Sequence, residues 1–466
     1  ADIRNILNFE RDYPDARTVY LEQSYRSPQT ILDVAHSVIS ANQRRKQKKL
    51  WTEKGKGKPI VVKVAYNEED EARFVVAEVD SLVRQSVCRP GDCAVMYRTN
   101  AQSRAVEDAF VRYGLPYKLV AGTRFYERRE IKDLIAYLRL IHNPLDSISL
   151  ARVINVPSRG IGQRTLAELF RWATSLDRTA YAALQLLREE QGIGNEEEDG
   201  KSPVLQSSSL ATKARRSLAD FAGIVGDLID QSQELSLLEL IDLTVERTGY
   251  GRWVQDGTPE GEERWENIQE LRTVAREFQD LEPRAALAAF LERVALVSDV
   301  DGLDDKVDAV TLITLHAAKG LEFGIVFIVG VEEGLLPHIR SFDNPEQMEE
   351  ERRLCYVGIT RAKERLYLVR AQRRTLFGSS TPNPPSRFLQ DIPSHLVYKA
   401  ESEREAPRVP FTSPALVPGD RVRHAKFGEG VVVSCVPNGA DQEIAVAFAG
   451  AGVKRLLLSF APLVKV

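Results

Sequence analysis

The sequence indicates an α/β protein in which a large helical insertion interrupts a parallel sheet, with a small β-barrel near the C-terminal end. Strand and helix patterns alternate between residues 17 and 113, which is typical of a parallel sheet covered by helices. Helical periodicity dominates from Arg129 to about Val297, and strand patterns return at 310–314 and 325–329. Closely spaced short strands after residue 418 predict the barrel.

Length, charge and cysteine content narrow the class of protein. With 466 residues the chain is long enough for roughly two to four domains. Its net charge of -4 predicts no general affinity for nucleic acid, so any basic surface must be local. The four cysteines form no C-x-x-C pair, which argues against structural zinc and disulfides. Because the sequence shows no membrane-length apolar stretch and no signal peptide, we expect a cytoplasmic protein without membrane contact.

The first α/β segment predicts its elements in order. A strand is expected at 17–23, and a helix from about Pro28 carries apolar residues at helical spacing. Strands follow at 60–65 and 93–97, and helices at 70–84 and 103–113. Ala1 leads directly into a predicted helix at 2–9 with no initiator Met, so we expect that the chain was cut from a longer protein.

A P-loop phosphate cradle is missing from the sequence. The nearest candidate, 194–202, has one residue too many, no preceding strand and four carboxylates that would repel a triphosphate. The acidic segment from Glu69 to Glu71 follows a strand and could hold a metal ion. Without a cradle before it, we interpret this segment as a solvated helix N-terminus.

Arg361 is the most informative residue of the chain. It belongs to the segment ERRLCYVGITRAK at 351–363, which precedes a predicted strand at 366–369. A guanidinium there would lie at the rim of a parallel sheet, where nucleotides bind in α/β folds. On the residues alone, Arg361 is a candidate phosphate contact.

Three other segments combine residues suited to a ligand. In LEQSYRS at 21–27, spacing alone favours a strand end with an exposed arginine over a stacking Tyr25 and a phosphate-binding Arg26. Segment 314–323, TLHAAKGLEF, lies between two strands, and either a ligand loop or an ordinary capped turn would explain it. At 97–104 a strand-to-helix junction predicts N-capping by Asn100 or Ser103.

Weaker signals come from glycines and from basic residues. The triplet at 160–162, Gly-Ile-Gly, opens a helix and would either bring backbone N–H groups to a phosphate or form an ordinary turn. The basic run at 44–58 is either a solvated face or a phosphate-facing patch. Glycines at 419, 428 and 430 suit tight hairpin turns of the barrel. Barrels of this size bind either protein or nucleic acid.

Taken in order, these segments resemble UvrD/PcrA/Rep-type superfamily 1 DNA helicases over essentially the whole chain, and PcrA/UvrD most closely. The resemblance implies a RecA-like parallel-sheet domain with a helical insertion and a Tudor/SH3-like barrel. The implied division is 1–22 as the end of a first RecA-like domain or a connector, 23–125 with 300–395 as the second RecA-like motor domain, 126–299 as the insertion, 396–417 as a flexible linker and 418–466 as the barrel.

For ATP, the resemblance implies that Arg26 and Arg361 are catalytic arginines that stabilise charge on the phosphates. Tyr25 would pack on adenine and Glu322 would contact the ribose, with Lys319 and Gly320 as further cofactor contacts. Mg²⁺ would be held by a first RecA-like domain upstream of this sequence, so no metal ligand is expected here. We therefore expect that the chain alone does not hydrolyse ATP.

For DNA, the resemblance implies contact with single strands and with single-strand/double-strand junctions. The implied residues are Arg98, Asn100, Arg124, His316, Phe377, Gly160, Ile161 and Gly162. Arg124 departs mildly from the lysine that is familiar at its position, and a lone phenylalanine such as Phe377 is more often a core residue. The barrel would dock RNA polymerase, and nucleotide-excision repair proteins are further expected partners.

The whole protein is therefore expected to be a 3′–5′ DNA helicase of repair and replication. The competing class is a non-catalytic module that binds DNA and RNA polymerase. A helicase–nuclease is a weaker alternative, because no segment after the barrel would carry a nuclease.

Overall fold

The computed structural model describes most of the chain. The described residues are 12–13, 15–17, 19–43, 45, 48–120, 122–192, 210–299, 308–376, 379–400, 416–424, 428–438, 441–448, 452–457 and 463–465. The chain divides into two compact units, one made of 1–122, 303–374 and 380–466 and the other of 123–302 and 375–379. The predicted helix at 2–9, the rejected cradle at 194–202, Phe377 and most of the predicted linker lie outside the described residues.

The first unit contains a sheet of seven strands in the order β3-β4-β2-β5-β6-β1-β9. Every neighbouring pair is parallel, which confirms the predicted parallel sheet. The strands are β1 Ile60–Ala65, β2 Cys93–Tyr97, β3 Tyr117–Val120, β4 Val310–Thr314, β5 Phe323–Ile328, β6 Ala362–Ala371 and β9 Val397–Ala400. Strands β7 Arg373–Leu376 and β8 Ser379–Pro382 pair as a separate ribbon.

Helices cover both faces of this sheet. They are α1 Gln29–Ser40, α2 Glu68–Arg84, α3 Ser103–Arg112, α13 Pro345–Ile359 and α14 Arg387–Gln390. Helices α1 and α13 share an apolar cluster with Ala94 and Met96 of β2, whereas α2 and α3 share another with Val95 and Tyr97. Because both faces are covered, all five residues of β2 are buried, as is usual for central parallel strands.

The predicted strand at 17–23 is wrong. Gln23 forms only an isolated parallel bridge with Trp51, and no strand includes the other described residues of this segment. Val19 and Leu21 are 69% and 78% exposed. A strand pattern needs a neighbouring strand and a covered face, and this segment has neither.

The second unit is helical, as the periodicity predicted. Its helices are α4 Arg129–His142, α5 Ser147–Val153, α6 Gln163–Ser175, α7 Ala180–Gly192, α8 Thr212–Gln231, α9 Leu237–Arg247, α10 Tyr250–Val254, α11 Pro259–Arg276 and α12 Pro283–Asp299. One apolar cluster runs through the unit, and Tyr137, Phe221 and Phe290 are fully buried in it. Asn267 links α11 to the start of this helical segment, because it accepts from Arg128 at 2.7 Å and donates to Glu130 at 2.6 Å.

The C-terminal strands form the predicted small β structure. Five antiparallel strands lie in the order β13-β12-β11-β10-β14. They are β10 Arg421–His424, β11 Gly428–Asn438, β12 Asp441–Phe448, β13 Gly452–Leu457 and β14 Leu463–Lys465. Gly430 lies within β11 rather than in a turn, and a side chain there would meet the ring of Phe448 at 2.6 Å.

Glu71 is buried, so the interpretation of 69–71 as a solvated helix N-terminus is wrong for this residue. Its carboxylate accepts from the N–H of Gly330 at 2.8 Å and forms an ion pair with the buried Arg374. Glu332 shares the same guanidinium, with Arg374 Nη2 at 2.8 Å, and accepts from the N–H of Ala371 at 2.6 Å. We call Glu71, Glu332 and Arg374 the buried triad; it joins α2, the carboxyl ends of β5 and β6, and β7.

The triad contains two carboxylates and one guanidinium in a site closed to water. Burial raises the pKa of Glu71 to about 7, and the nearby Glu332 adds to this effect while Arg374 opposes it. Against the effect of burial, Arg374 holds the pKa of Glu332 below its usual value. Glu71 is therefore the group that takes up a proton near neutral pH.

We expect the stability of this region to fall as the pH rises toward 7. Between the ordinary glutamate pKa of 4.5 and about 7, the folded protein binds more protons at Glu71 than the unfolded chain does. The free energy of local opening should therefore decrease through this window. Hydrogen exchange of peptides that contain Gly330 and Ala371, corrected for intrinsic rates, measures this energy.

Glu71→Gln should remove this pH dependence, because glutamine still accepts from the Gly330 N–H but does not ionise. Glu69→Gln, at an exposed position of the same helix, is the matched control and should keep the wild-type slope. An unchanged slope in the Glu71→Gln variant would show that another group titrates.

Candidate functional site

Arg26, Glu322 and Arg361 come together at the amino edge of the sheet. Glu322 directly precedes β5 and Arg361 directly precedes β6. Arg26 lies before α1, forms an ion pair with Glu322, and donates from Nη1 to the carbonyl of Thr360 at 3.1 Å. We call Arg26, Glu322, Thr360, Arg361 and Lys363 the amino-edge cluster.

Arg361 is fixed in this cluster by its own hydrogen bonds. Its Nε donates to the carbonyl of Val357 at 3.0 Å, and its Nη1 donates to the carbonyl of Leu321 at 3.3 Å. Its carbonyl accepts from the N–H of Phe323 at 3.0 Å. Open α/β sheets usually bind ligands outside the carboxyl ends of their strands. Arg361 lies instead at the amino edge, because α13 ends there just before β6 begins.

The amino-edge cluster is rich in positive charge. The hydrogen bond from Arg26 lowers the pKa of Glu322, and the charges of Arg26 and Lys363 reinforce this effect. Lys363 Nζ lies 3.5 Å from the Glu322 carboxylate. Burial, and then the neighbouring Arg26, lowers the pKa of Arg361. One carboxylate thus stands among three cations, an arrangement that favours a further anion.

The other implied nucleotide contacts, Tyr25, Lys319 and Gly320, are exposed residues. Tyr25 is 77% exposed, and its hydroxyl donates to Gln23 at 2.8 Å. Lys319 and Gly320 are exposed as well. Gly320 has a φ of +93°, a conformation that favours glycine. The ring of Tyr25 therefore offers a face for stacking at the same edge as Arg26.

A second set of implied ligand residues lies at the opposite, carboxyl edge of the sheet. Arg98 and Asn100 follow β2, and His316 follows β4. Arg98 binds Glu351 of α13 through two nitrogens, with Nε at 3.0 Å and Nη2 at 2.6 Å from Oε1. Glu351 also accepts from the N–H of His338 at 3.0 Å. Arg98 is therefore already held by a buried carboxylate.

The local capping at this edge differs from the expectation. Gln102, rather than Asn100 or Ser103, accepts from the N–H groups of Arg98 and Thr99, each at 3.0 Å. The chain first makes a short 3₁₀ turn at Asn100–Gln102, which brings the longer glutamine side chain back to the strand end. Asn100 is consequently not needed as the cap.

His316 has little positive charge near neutral pH. His316 is exposed, but part of its imidazole ring lies against the protein. This partial burial, and then the charge of Arg98, lowers the pKa of His316. Glu351 and Glu350 act in the opposite direction. A neutral imidazole can donate and accept hydrogen bonds without adding charge to the surface.

The loop 315–322, which we call the crossing loop, connects the two edges. It leaves the carboxyl end of β4 and enters the amino end of β5, so His316 and Glu322 lie at opposite edges. Leu315 packs against Gly358 of α13, where any larger residue would overlap it. At its other end the loop accepts the Arg361 hydrogen bond at Leu321. Displacement of the loop at Leu315 would therefore act on α13, and displacement at Leu321 would act on Arg361.

The glycine triplet of the helical unit lies in a well-fixed loop. Asn155 Oδ1 accepts from the N–H groups of Arg159 at 2.8 Å and Ile161 at 3.1 Å. Arg159 Nη2 donates to Tyr137 at 3.0 Å. The Ile161 side chain is buried and its N–H is already bonded, so it does not itself face a ligand.

Gly160 and Gly162 are exposed on either side of Ile161, and a Cβ at either glycine would meet open space. Gly162 is the N-cap of α6, so the first N–H groups of that helix have no side-chain cap. The glycines thus leave the helix start accessible to a phosphate.

The remaining candidates are less informative. Arg124 begins the helical unit, where its carbonyl accepts from Glu127 at 2.9 Å. Phe377 lies outside the described residues. Within the described ranges, no group of three or more His, Cys, Asp or Glu is placed to hold a metal ion. No helix in the same ranges is long and apolar enough to cross a membrane.

Comparison with known families assigns both parts of the chain. Residues 19–373 match the UvrD-like helicase C-terminal domain. The chain belongs to this family. Residues 418–465 match the PcrA/UvrD tudor domain, which agrees with the small antiparallel sheet. The resemblance inferred from the motifs and the fold class are thereby confirmed.

Several relatives match over the whole chain. The ATP-dependent DNA helicase UvrD1 of Mycobacterium tuberculosis is 41% identical over 100% of this chain and 63% of its own length. The ATP-dependent DNA helicase PcrA of Bacillus subtilis is 41% identical over 100% of this chain and 64% of its own length. The ATP-dependent DNA helicase PcrA of Leuconostoc citreum is 40% identical over 100% of this chain and 65% of its own length. The UvrD-like chain thus spans less than two thirds of the length of these relatives.

Sequence reasoning missed several charged residues of this UvrD-like chain. Glu351 was read only as the start of the Arg361 segment, yet it binds Arg98. No role was predicted for Glu332 or Arg374, although they form a buried ion pair. Lone acidic residues carry no local signal for such partners, because the partners lie far away in sequence.

Removal of Glu351 should destabilise the UvrD-like domain more than removal of its neighbour Glu350. Glu351→Ala leaves the Arg98 guanidinium without its partner, so the free energy of unfolding should fall by about 2 kcal/mol. Glu350→Ala removes an exposed ion pair with Arg353 and should cost below about 1 kcal/mol. Urea unfolding of both variants checks this, and equal losses would contradict the role assigned to Glu351.

Proposed function

We propose that this chain is the C-terminal part of an ATP-dependent 3′–5′ DNA helicase. The crossing loop carries the proposal, because it joins the edge that holds His316 to the edge that holds Glu322 and Arg361. The names of the relatives, ATP-dependent DNA helicases, supply the reaction class. The geometry supports two functions for one sheet, with nucleotide binding at its amino edge and DNA binding at its carboxyl edge.

The amino-edge cluster fits a nucleoside triphosphate. Arg26 and Arg361 would stabilise charge on the γ-phosphate, and Glu322 would accept from the ribose hydroxyls. Tyr25 would stack on the adenine, with Lys319 and Gly320 beside the phosphates. Since Arg361 lies at the amino edge, it serves a nucleotide held mainly by another domain. Mg²⁺, bound by that domain with ATP, would neutralise the phosphates during transfer.

The carboxyl edge fits a DNA single strand. Asn100 and His316 would donate and accept hydrogen bonds without depending on charge, and Arg98 would contribute its remaining N–H groups. Separately from this edge, Arg124 is a proposed phosphate contact and Phe377 a proposed stacking ring. Binding of DNA here would move the start of the crossing loop and, through Leu315 and Gly358, the helix that precedes Arg361.

The helical unit and the barrel would extend the contacts. The exposed Gly160 and Gly162, with the uncapped start of α6, suit a phosphate of the duplex ahead of the junction. The tudor domain would dock RNA polymerase, and nucleotide-excision repair proteins are further proposed partners. A non-catalytic module that binds DNA and RNA polymerase remains the competing function, and the test below separates the two.

The amino-edge cluster should act only together with the rest of the enzyme. The chain alone should show no ATP hydrolysis, whereas the longer protein that contains it should hydrolyse ATP when single-stranded DNA is added. In that longer protein, Arg361→Ala should lower kcat about 10³-fold. Arg84→Ala, at an exposed helix end, is the control and should leave kcat unchanged. DNA-stimulated turnover by the chain alone, or full activity of Arg361→Ala, would refute the proposal.

DNA binding can be tested with the chain itself. At pH 7.5, His316→Ala should weaken binding of an oligothymidylate about fivefold without changing the salt dependence, because the imidazole is neutral. Arg124→Ala should instead reduce the slope of log K against log salt by about 0.7. Fluorescence anisotropy across a KCl series measures both quantities. An altered slope in His316→Ala would show that the imidazole binds in its charged form.

A further inference from the structure

The segment from Lys54 to Lys58 alternates lysine and glycine, KGKGK, and the structure holds its backbone rigidly. The N–H of Gln29 donates to the carbonyl of Gly55 at 2.9 Å, and the N–H of Thr30 donates to that of Lys56 at 2.9 Å. The KGKGK loop therefore caps the start of α1 with main-chain carbonyls. Its lysine side chains are not needed for this capping, and all three lysines are exposed.

Both glycines of this loop, Gly55 and Gly57, are required by its backbone conformation. Gly55 and Gly57 have φ values of +76° and +77°, which larger residues rarely adopt. A side chain at Gly57 would also meet Pro28 at 2.5 Å. The loop is thus preorganised in one conformation, with Lys54 and Lys58 on either side of its turns.

Together with the start of β6, this loop forms a groove of about 420 Å³. We call it the basic groove; it is lined by Pro28, Lys54, Gly57, Lys58, Lys363, Glu364 and Arg365. Four cations face a single lining carboxylate, and within the described part of the chain Lys58 forms no ion pair. A volume above about 300 Å³ suits a small ligand.

The basic groove adjoins the amino-edge cluster and shares Lys363 with it. Lys54 Nζ donates to the carbonyl of Arg26 at 2.8 Å, and Lys363 approaches Glu322 at 3.5 Å. Tyr25 and Arg361, which carry the proposed nucleotide contacts, do not line the groove. Lys54, Lys58 and Arg365 therefore carry positive charge that the proposed nucleotide contacts do not use.

We propose that the basic groove binds an anion with two or more linked phosphate groups. Lysines supply several point charges with freely rotating donors, which suit neighbouring phosphates better than one planar carboxylate. Such phosphates could come from a free polyphosphate or from a nucleic-acid backbone. Because the loop is preorganised, little ordering is needed before binding.

Inorganic tripolyphosphate is the probe, and isothermal titration calorimetry of this chain is the measurement. The wild-type chain should bind it saturably, and Lys54→Ala/Lys58→Ala should weaken binding at least about tenfold. Lys58→Ala alone, which removes no described ion pair, should weaken it as well. The control Lys118→Ala/Lys132→Ala removes two exposed lysines elsewhere and should change the affinity less than about twofold.

The site is overturned if wild type shows no saturable binding at about 1 mM ligand, or if the KGKGK variants bind as tightly as wild type. This titration does not depend on ATP turnover, so failure of the proposed ATPase role would not mimic failure of this site. An abasic DNA strand distinguishes the sources. Displacement of tripolyphosphate by that strand identifies a nucleic-acid backbone, and its absence identifies a free polyphosphate; either result supports the basic groove.

Discussion

The short crossing from β4 to β5 constrains the rest of the sheet. In a parallel sheet all carboxyl ends share one edge, so a loop between two strands must run the full length of a strand back to the other edge. Most such connections contain a helix, but this one is only the loop 315–322. It therefore runs close to the sheet, and α13 must have glycine at 358 where Leu315 packs. His316 and Arg361 are thus connected through the crossing loop and α13.

Buried charge holds the elements on which that connection depends. Glu351 binds Arg98 and so links the end of β2 to the helix that precedes Arg361. Beyond β6, the buried triad joins α2, β5 and β7 through main-chain N–H groups as well as ion pairs. Removing one member would leave a buried charge without a partner, which is costly. These contacts fix the carboxyl edge of the sheet and α13 while leaving His316 exposed.

Motifs predicted the location of the candidate site better than its contacts. Arg26, Glu322 and Arg361 belong to three separate segments, and the structure brings them together at the amino edge, while their roles stay predictions. For Arg361 the sequence predicted only the rim of the sheet, and the structure places it at the amino edge, where α13 ends. Arg98 was expected to be available for DNA, yet Glu351 already binds it. Gln102 replaced the expected caps because its longer side chain reaches back across a 3₁₀ turn.

The sequence by itself determined the parallel sheet, the helical insertion, the C-terminal strands and the family. Those properties depend on local periodicity and on short motifs, which are visible one segment at a time. Only the tertiary structure decided that Glu71 is buried, that the amino edge holds the arginines and that the KGKGK loop lines a basic groove. These properties depend on residues distant in the chain. Arg374 pairs with Glu71, and Arg365 lines the same groove as Lys58. A charged residue has the same local pattern whether it faces water or a buried partner, so packing alone separates the two cases.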